Sequence, residues 1–420
     1  MLVYVKINHY LREEDEILTN IAILGFGVVG GGVADLITKN YNEVSSLGGD
    51  DINIKYILDL REFPDSPFAE RIVHDFNLIA NDKEVDTVIE VMGGSHPAYE
   101  FTVAALRAGK NVITSNKEVV ANFGDEFLRI ADEMGVCYRF ETAVGGGIPV
   151  ISPLISLIRQ NKITEVRGIL NGTTNYILTK MFNYGDSFES SLLDAQERGY
   201  AERNPDADIL GTDACRKISI LSALVTDRLI SPDMISTEGI TKIRANDVIA
   251  AEKLGCSIKL LGRCIISGEG PFVMVAPFLI SSDSQLSSVN GVYNAVEIIG
   301  EPIGSVMFYG PGAGAGPSAS AIVGDLMQVM RSGIACKMPT FKKDGYDARI
   351  TQKHFKTRWY IALELGNEKL ATEAFGKVNF IEGISECGFV IEEAEERFIK
   401  EKLESLKTAG AEALSAIRFM

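Results

Sequence analysis

The chain has 420 residues, more than a single hydrophobic core usually organises, so two or three domains are expected. Its formal net charge of -16 opposes binding to a phosphodiester backbone, and no cluster of lysine and arginine reverses that charge locally. With 46% hydrophobic and 23% charged residues, the composition is that of a globular protein. The sequence therefore predicts a multidomain protein that has no nucleic-acid partner.

The sequence also disfavours a membrane protein and a zinc protein. Its apolar runs are too short to cross a bilayer, and Gly, Arg or Pro interrupts them. Residues 1–19 lack the cationic start and apolar segment of a secretory signal, so we expect a cytoplasmic protein without membrane contact. Six dispersed cysteines without a CxxC pair and four isolated histidines predict that any bound metal has oxygen ligands.

The first third of the chain alternates short apolar strands with helices. A strand, a Gly-rich turn and a helix open the pattern near residue 20. Further strands are predicted within residues 52–60, 86–94 and 110–115, and helices within 97–109 and 123–135. This alternation predicts an α/β fold with a Rossmann-type doubly wound parallel sheet over residues 1–150. A helix at about 312–335 is expected to pack back on this domain.

The pattern changes near residue 150. Strands separated by turn residues, with helices bunched between 173 and 255, predict an α+β domain over residues 151–311. Its sheet is expected to be mixed or antiparallel. Residues 339–354 are polar and turn-rich and are predicted to be a linker, and residues 345–420 are predicted to form a small α+β domain.

The hexapeptide GFGVVG, from Gly25 to Gly30, fits the GxGxxG pattern of a dinucleotide-binding turn. Gly25 permits a tight turn, Gly27 lets a pyrophosphate approach the backbone, and Gly30 allows close packing of helix on strand. Its position between a strand and a helix favours a nucleotide site over a structural turn. The turn also contains Phe26, Val28 and Val29.

Two residues after the second predicted strand have opposite implications for the nucleotide. Asp59 would accept a hydrogen bond from the ribose 2′-hydroxyl of NAD, whereas Arg61 would bind the 2′-phosphate of NADP. Either side chain alternatively faces solvent. The sequence therefore leaves NAD and NADP open.

Two further segments have the composition of ligand sites. Lys117 follows a strand at the edge where doubly wound sheets bind ligands, and the dipole of the helix starting there disfavours a cation. A ligand contact is therefore expected, with an exposed lysine beside Glu118 as the alternative. Residues 141–150 contain three consecutive glycines whose carbonyl groups, with the Glu141 carboxylate, would suit a hard cation; a plain domain crossover fits equally well.

The segment GYAERNPDADILGTDACRKISIL, residues 199–221, places several carboxylates before an apolar helix. Asp213 and Lys217 are four residues apart and share one helix face, while Glu202 and Asp208 lie in the preceding loop. One interpretation is a solvated ion pair. The other is an acid/base site, in which carboxylates bind a polar substrate and desolvation lowers the pKa of the amine.

These motifs resemble those of the homoserine dehydrogenase family. The matching segments are GFGVVG, TSNKE, ETAVGGGIPV, GILNGTTNYIL, GYAERNPDADILGTDACRK and GPGAGAGPSASAIVGD, which run in order from about residue 20 to 330. The combination of NGTTNYIL, GYAE and the D-x-x-x-K pair is far more specific than GxGxxG. The resemblance implies an NAD(P)-dependent oxidoreductase that interconverts L-homoserine and L-aspartate 4-semialdehyde in threonine, methionine and isoleucine biosynthesis.

The resemblance also implies roles for individual residues. Lys217 would be the proton donor or acceptor, Lys117 would lie near nicotinamide and substrate, and Glu202, Asp213 and Gly199 would contact the substrate. Cofactor contacts beyond the Gly-rich turn would be Asp59, Arg61, Gly93, Thr114, Lys117, Gly199, Gly312 and Gly314. A monovalent cation, sodium or potassium, would bind at Glu141 with the carbonyl groups of Val144, Gly146 and Ile148. A homodimer or higher homo-oligomer, formed through the 151–311 domain, is expected from the same likeness.

Two features depart from the family pattern. Leu58 precedes Asp59 where many relatives carry Arg or Lys, which leaves the preference for NADP open. The tail resembles an ACT-type module, but LELGNEKLATEAFGKV lacks the Asp-Arg-Pro-Gly turn that usually binds an effector, so threonine regulation is also open.

Two alternative functions are less well supported. An aspartate-semialdehyde dehydrogenase needs an activated cysteine, and no cysteine lies in a recognisable catalytic setting. A nucleotide-binding regulator that senses amino acids through its tail would not need Glu202, Asp213, Lys117 and Lys217 together.

Overall fold

The computed structural model describes residues 18–48, 51–268, 270–332 and 338–420. The N-terminal segment 1–19, to which the sequence assigned no role, lies outside these ranges except for its last two residues. Two β-sheets organise the chain, one of six strands and one of ten. Within the described ranges, no helix has the length and hydropathy that a membrane span requires.

The first sheet is parallel and is formed by the first third of the chain. Its strands are β1 (Leu18–Leu24), β2 (Asp51–Leu58), β3 (Ile72–Val73), β4 (Val85–Glu90), β5 (Asn111–Thr114) and β6 (Tyr138–Arg139). Their spatial order is β3-β2-β1-β4-β5-β6, so the strand order reverses between β1 and β4. The helices of this region are α1 (Val28–Lys39), α2 (Tyr41–Gly48), α3 (Phe76–Asn81), α4 (Ala98–Arg107) and α5 (Lys117–Met134). The predicted Rossmann-type sheet is confirmed, and its ligand crevice lies outside the carboxyl ends of β1 and β4.

Helix α5 starts at Lys117, as the sequence predicted, and runs through the predicted segment 123–135 to Met134. It begins at Lys117 because the Asn116 side chain accepts hydrogen bonds from the amides of Glu118 and Val119, at 3.2 and 3.4 Å. The cap places Lys117 at the carboxyl edge of the first sheet.

The second sheet is mixed and is preceded by the short helices α6 (Thr142–Gly145) and α7 (Ile151–Ile158). Its strands are β7 (Lys162–Ile169), β8 (Ser236–Thr237), β9 (Cys256–Ser267), β10 (Gly270–Ser281), β11 (Tyr293–Glu301), β12 (Gly304–Pro311), β13 (Lys356–Leu363), β14 (Asn379–Phe380), β15 (Cys387–Glu395) and β16 (Ser415–Phe419). Their order is β12-β11-β7-β9-β10-β16-β13-β15-β14, with β8 beside β10.

Nine α-helices of the described residues follow β7 along the chain. They are α8 (Gly172–Tyr184), α9 (Phe188–Glu197), α10 (Asp206–Ile209), α11 (Thr212–Thr226), α12 (Ala245–Lys253), α13 (Ala315–Ser332), α14 (Ala348–Gln352), α15 (Glu368–Phe375) and α16 (Glu396–Thr408). Helices α8, α11 and α12 pack on the sheet, and α11 also contacts α5. This contact brings the predicted acid/base helix to the crevice of the first sheet.

The strands of the tail continue the sheet of the middle region. β16 pairs in parallel with β10, so that Phe278 lies opposite Arg418 and Leu279 opposite Phe419. The segment predicted as a linker contains α14, which packs on β10. The boundary at residue 345 stays a prediction, since a single sheet extends across it.

Helix α13 returns to the first sheet. Ile322 and Leu326 on this helix share a hydrophobic core with Ile23 of β1. Gly32 on α1 allows the close approach, because a Cβ at that position would lie 3.1 Å from the carbonyl oxygen of Ala315. The helix thereby brings a second Gly-rich turn, residues 310–316, next to the first sheet.

Candidate active site

The first Gly-rich turn connects β1 to α1 where the strand order reverses. Gly25 has φ +99°, a conformation that favours glycine. A Cβ on Gly30 would lie 2.0 Å from the Gly25 carbonyl oxygen, so a side chain there would disrupt the turn. Gly27 precedes the helix with open space around it, and Val28 beside it is 75% exposed. The turn therefore offers backbone N–H groups and room for a pyrophosphate.

Asp59 and Arg61 bind each other just after β2. The guanidinium donates from Nε and Nη2 to the carboxylate at 3.0 and 2.9 Å, and the amide of Phe26 donates to Asp59 Oδ2 at 2.8 Å. The Arg61 hydrogen bonds hold the pKa of Asp59 well below its usual range. The carboxylate is thus tied to the Gly-rich turn, while the guanidinium is 63% exposed and accessible to a ligand.

Lys217 and Asp213 lie one turn apart on α11, as their spacing predicted. Lys217 Nζ is 2.9 Å from Asp213 Oδ2 and donates to the carbonyl oxygen of Leu170 at 2.7 Å. Each side chain is only 9% exposed. The burial is inconsistent with a solvated ion pair.

Lys117 reaches this pair from the other side of the crevice. Its Nζ is 2.9 Å from Asp213 Oδ1, so one carboxylate holds two ammonium groups that come from different parts of the fold. A second ion pair joins the same two helices, since Glu118 Oε2 on α5 lies 2.9 Å from Arg216 Nη2 on α11. The other oxygen of that carboxylate, Glu118 Oε1, accepts from Ser95 Oγ at 2.7 Å. Two ion pairs therefore join α5 to α11 across the crevice.

Asn171, which sequence reasoning did not identify, organises the carboxylates of the cluster. Its Nδ2 donates to Asp213 Oδ2 at 2.9 Å and to Asp208 Oδ1 at 2.7 Å. Its Oδ1 accepts from the amide of Thr174 at 2.9 Å and so caps α8. An asparagine directly before the helix of the NGTTNYIL motif was the signal, because asparagine is a preferred N-cap.

Burial and charge shift the pKa values of this cluster in different directions. Burial lowers the pKa of Lys217, although the charge of Asp213 opposes the shift. Burial alone would raise the pKa of Asp213, but the charges of Lys217 and Lys117 outweigh it and hold that pKa well below its usual range. Burial, and then Asp213, raises the pKa of Asp208. The cluster combines a firmly ionised carboxylate with an amine that releases its proton more readily than free lysine.

The other predicted substrate and cofactor residues lie apart from this buried cluster. Glu202 is exposed, and its carbonyl oxygen accepts from Gln196 Nε2 at 3.1 Å. Gly199, with φ +73°, is exposed beyond α9. Gly93 is exposed after β4, whereas Thr114 is buried at the end of β5. Among the described hydrogen bonds and ion pairs, none joins Glu202 to Asp213 or Lys217.

The carboxylate of Glu141 caps α7. Its Oε1 accepts from the amides of Val150 and Ile151 at 2.6 and 2.7 Å, and its Oε2 accepts from the amide of Ser152 at 2.8 Å. In the described part of the chain, no group of three or more His, Cys, Asp or Glu residues could hold a metal ion. A cation at this turn would therefore depend on backbone carbonyl oxygens, with Glu141 contributing negative charge.

The second Gly-rich turn packs directly on the turn that follows Glu141. A Cβ on Gly146 would lie 2.3 Å from the carbonyl oxygen of Gly312, and a Cβ on Gly312 would lie 2.1 Å from Asn294 Nδ2. Gly314, with φ +125°, then leads into α13. Glycine is required here because two backbone segments come into contact.

Four buried free cysteines of the described residues lack the features of a nucleophile. Burial raises the pKa of the Cys215 and Cys256 thiols, and it raises the pKa of Cys264 to about 12 and of Cys387 to about 11. A raised pKa disfavours the reactive thiolate. These cysteines therefore give no support to an aspartate-semialdehyde dehydrogenase.

Known proteins resemble the chain over both sheets. Residues 25–141 match the family profile described as homoserine dehydrogenase, NAD binding domain, and residues 149–327 match the profile described as homoserine dehydrogenase. A homoserine dehydrogenase of Synechocystis is 35% identical over 95% of this chain and 99% of its own length.

Solved structures show the same fold. A crystal structure of a homoserine dehydrogenase from Thiobacillus denitrificans is 29% identical and superposes with a TM-score of 0.86 over 96% of this chain and 98% of its own. A hyperthermophilic archaeal homoserine dehydrogenase mutant in complex with NADPH is 26% identical, with a TM-score of 0.65 over 78% of this chain and 100% of its own. The chain therefore belongs to the homoserine dehydrogenase family and is an NAD(P)-dependent oxidoreductase that acts on a CH–OH group.

Proposed function

We propose that the crevice between α5 and α11 interconverts L-homoserine and L-aspartate 4-semialdehyde with Lys217 as the proton carrier. The observation that carries this proposal is the position of Lys217 Nζ, which is buried beside Asp213 and the Leu170 carbonyl group. A buried amine held on a rigid helix can exchange a proton with a substrate oxygen when desolvation lowers its pKa. When bound, the nicotinamide nucleotide supplies or accepts the hydride.

The proton transfer would run in both directions through the same amine. In oxidation, neutral Lys217 accepts the hydroxyl proton of homoserine; in reduction, the Lys217 ammonium donates a proton to the developing alkoxide. Lys117 stabilises negative charge on that oxygen. Asp213 and Glu202 bind the polar groups of the substrate, and Gly199 borders it. Because Asp213 already holds both lysines, the substrate must share or replace one of these contacts.

Either NAD or NADP is proposed as the nucleotide. The support is the backbone of the turn from Gly25 to Gly30, with Phe26, Val28 and Val29 around it, and the ion pair of Asp59 with Arg61 at the ribose position. The pair offers a carboxylate to a hydroxyl group and a guanidinium to a phosphate. The remaining contacts proposed for the nucleotide are Gly93, Thr114, Lys117, Gly199, Gly312 and Gly314.

A monovalent cation, sodium or potassium, is also proposed at the turn after Glu141. It would bind at Glu141 together with the carbonyl oxygens of Val144, Gly146 and Ile148. The support is the negative charge of Glu141, held next to the turn by three amide hydrogen bonds. A cation there would stiffen the contact of this turn with the second Gly-rich turn.

The organisation of the whole molecule follows from the family resemblance. We propose a cytoplasmic homodimer or higher homo-oligomer that serves threonine, methionine and isoleucine biosynthesis. Its parts would be the nucleotide domain of residues 1–150 with the helix at 312–335, the substrate and dimerisation domain 151–311, and an ACT-like domain 345–420. Whether that last domain takes an effector such as threonine would be seen in its effect on activity.

Replacement of Lys217 by alanine tests the proposed proton transfer. We expect kcat for homoserine oxidation to fall by about 10²–10⁴-fold, because the proton carrier is removed while the nucleotide turn is untouched. Steady-state kinetics and a fluorescence titration with NADPH would measure the two effects separately.

Lys180 provides the matched control. Lys180 lies on α8, pairs with Asp186 at 3.2 Å and takes no part in the crevice. Lys180→Ala should keep normal kinetics. Normal turnover by Lys217→Ala, or equal losses in both variants, would contradict the assignment.

A further inference from the structure

Glu90, at the carboxyl end of β4, is a buried acid that the proposed reaction does not use. Its side chain is fully buried where the strand order reverses. Oε1 accepts from the amide of Met92 at 2.8 Å, and Oε2 accepts from the hydroxyl group of Thr114 at 2.5 Å. A buried carboxylate is costly unless its hydrogen bonds are specific, so these two contacts require an explanation.

The two contacts of Glu90 lead to different segments of the crevice. Through Met92 the carboxylate holds the loop after β4, which contains Gly93 and Gly94. Through Thr114 it reaches the start of α5, since Thr114 Oγ1 accepts from the amide of Asn116 at 2.9 Å. The hydroxyl group of Thr114 is therefore engaged on both sides by the protein itself.

Asn116 joins the two segments and caps the helix. Its Nδ2 donates to the carbonyl oxygen of Gly94 at 2.7 Å, while its Oδ1 caps the amides of Glu118 and Val119. Lys117 is the residue between the cap and these amides. The chain of hydrogen bonds from Glu90 thus holds the residues on both sides of Lys117, whose ammonium group binds Asp213.

The surroundings of Glu90 allow it to titrate. Burial raises its pKa to about 7, against the hydrogen bonds from Thr114 and Met92. The facing residues on the adjacent strands β1 and β5 are Leu24 and Thr114, which do not titrate in this range. On β6, Tyr138 has a buried hydroxyl group without a hydrogen-bond partner in the described residues, and burial, then the charge of Glu90, raises its pKa well above the usual value.

We propose that Glu90 is a positioning residue of the dehydrogenase, whose ionised carboxylate fixes the 91–94 loop and the first turn of α5 and thereby aligns Lys117 with Asp213. This inference rests on the proposed role of the cluster around Lys217. Ionised Glu90 accepts both hydrogen bonds. A protonated Glu90 carboxyl group that donates to Thr114 makes the hydroxyl oxygen an acceptor, so the Thr114 O–H loses its acceptor and the hydrogen bond from Thr114 to Glu90 is broken.

Two substitutions interrupt the chain of hydrogen bonds at different points. Glu90→Gln keeps the shape of the side chain, but its NH2 group cannot accept a hydrogen bond. It can therefore keep only one of the two hydrogen bonds from Met92 and Thr114. Thr114→Val keeps the volume and the Glu90 charge but removes the hydroxyl relay. Thr87→Val is the matched control, since Thr87 lies on the same strand, is fully buried and bonds only weakly, to Asn111 Nδ2 at 3.4 Å.

The expected result is a loss of kcat of about ten- to a hundredfold in both crevice variants, with a smaller rise in the KM for the nucleotide, because a small displacement of Lys117 is costly. The losses should not add in the double variant, because both interrupt one chain. The wild-type pH profile should show a step near pH 7 that Glu90→Gln lacks. Infrared difference spectra between pH 6 and 8 should show a protonated carboxyl band in wild type that Glu90→Gln loses.

Several outcomes would overturn the proposal. They are wild-type kinetics in Thr114→Val, fully additive losses in the double variant, or an equal loss in Thr87→Val. If Glu90→Gln fails to fold, Thr114→Val still decides the question, because it leaves the carboxylate in place. If the Lys217 variant loses turnover while these variants behave as wild type, the positioning role fails and the dehydrogenase function stands. If the Lys217 variant keeps its turnover, the function fails first.

Discussion

Two buried ion clusters in this molecule use similar side chains for different ends. The crevice cluster sets two ammonium groups, Lys117 and Lys217, against the carboxylate of Asp213. The tail cluster sets one guanidinium, Arg418, against two carboxylates. Arg418 donates to Glu396 at 2.8 and 2.5 Å and to Glu238 at 2.9 and 2.7 Å. Among these three side chains of each cluster the ratio of cations to anions is inverted, with Asp208 beside the first set and the exposed Lys400, 3.2 Å from Glu396, beside the second.

The identity of the cation explains what each cluster can do. Burial lowers the pKa of Lys217, so this amine can release and regain a proton. Burial would also lower the pKa of Arg418, but its carboxylate partners outweigh that effect and raise it. Arginine remains charged at any working pH. The crevice cluster can therefore exchange protons, whereas the tail cluster holds β16 and α16 together with the loop that contains Glu238.

The surplus of positive charge also suits the crevice to its reaction. Two ammonium groups around one carboxylate favour the negative charge that develops on a substrate oxygen. The tail cluster has no comparable surplus, and a guanidinium held by four hydrogen bonds has little capacity for a ligand. Replacing the lysine of the crevice by the kind of cation found in the tail tests whether this difference decides what each cluster does.

The largest expected effect comes from Lys217→Arg, which gives the crevice the cation of the tail. We expect kcat to fall by about 10²–10⁴-fold although the positive charge is kept, because the guanidinium cannot give up its proton. In wild type, kcat/KM for homoserine oxidation should rise with pH up to the lowered pKa of Lys217, since neutral amine is the base, and reduction should fall above it. Kinetics between pH 6 and 10 would measure both limbs.

The rising limb is the decisive observation for this variant. The part of the rise that comes from Lys217 should be absent in Lys217→Arg, which keeps the Glu90 step near pH 7, while binding of NADPH and the thermal midpoint stay near the wild-type values. An arginine variant with full turnover would show that charge alone, rather than proton transfer, is required at this position.

The next largest effect is expected in the tail, from Arg418→Met. Removing a guanidinium that is 3% exposed leaves the buried carboxylate of Glu396 with Lys400 at 3.2 Å and a long hydrogen bond from Gln352 at 3.5 Å, which should lower the free energy of unfolding by about 3–5 kcal/mol. Urea denaturation would measure the loss, and kcat per folded molecule should be unchanged.

Arg397→Met is the control for this loss. Arg397 pairs with Glu401 on the exposed face of α16, the helix that begins with Glu396. Such i,i+4 pairs contribute only about 0.3–0.5 kcal/mol. If the two variants are equally stable, or if Arg418→Met loses turnover at constant stability, the tail cluster does not stabilise the fold as we propose.

The sequence revealed the parts of the crevice that depend on local spacing. The turn from Gly25 to Gly30 and the pair of Asp213 with Lys217 each lie within one strand-turn-helix unit or one helix turn, so their geometry follows from residue periodicity. The contact of Lys117 with Asp213 does not, because it depends on how two distant helices pack. The role of Glu202 at the substrate stays a prediction, since the motif that it shares with Asp213 did not place the two side chains in contact.

The tail shows the same limit at the level of the sheet. The sequence predicted strands and helices over residues 345–420, and the structure has β13, β15 and β16 with α15 and α16 there, because the patterns of single elements are local. The pairing of β16 with β10 is set by which strand edges are left free, and nothing in a single strand encodes it. The role of Glu141 as a helix cap was missed for a similar reason, since its three donors lie nine to eleven residues further along the chain.

The smallest effects are expected at the pair of Asp59 and the exposed Arg61, which joins one carboxylate to one guanidinium at the first Gly-rich turn. Arg61→Ala should lower kcat/KM with NADP by about tenfold relative to NAD, because a charge-assisted hydrogen bond to the 2′-phosphate is lost. Asp59→Asn should shift the ratio the other way, since the amide oxygen still accepts from the Phe26 amide but no longer repels a phosphate. Kinetics of each variant with both nucleotides would give the ratios. Opposite shifts identify the pair as the selector of the nucleotide, whereas unchanged ratios in both variants would place the ribose elsewhere.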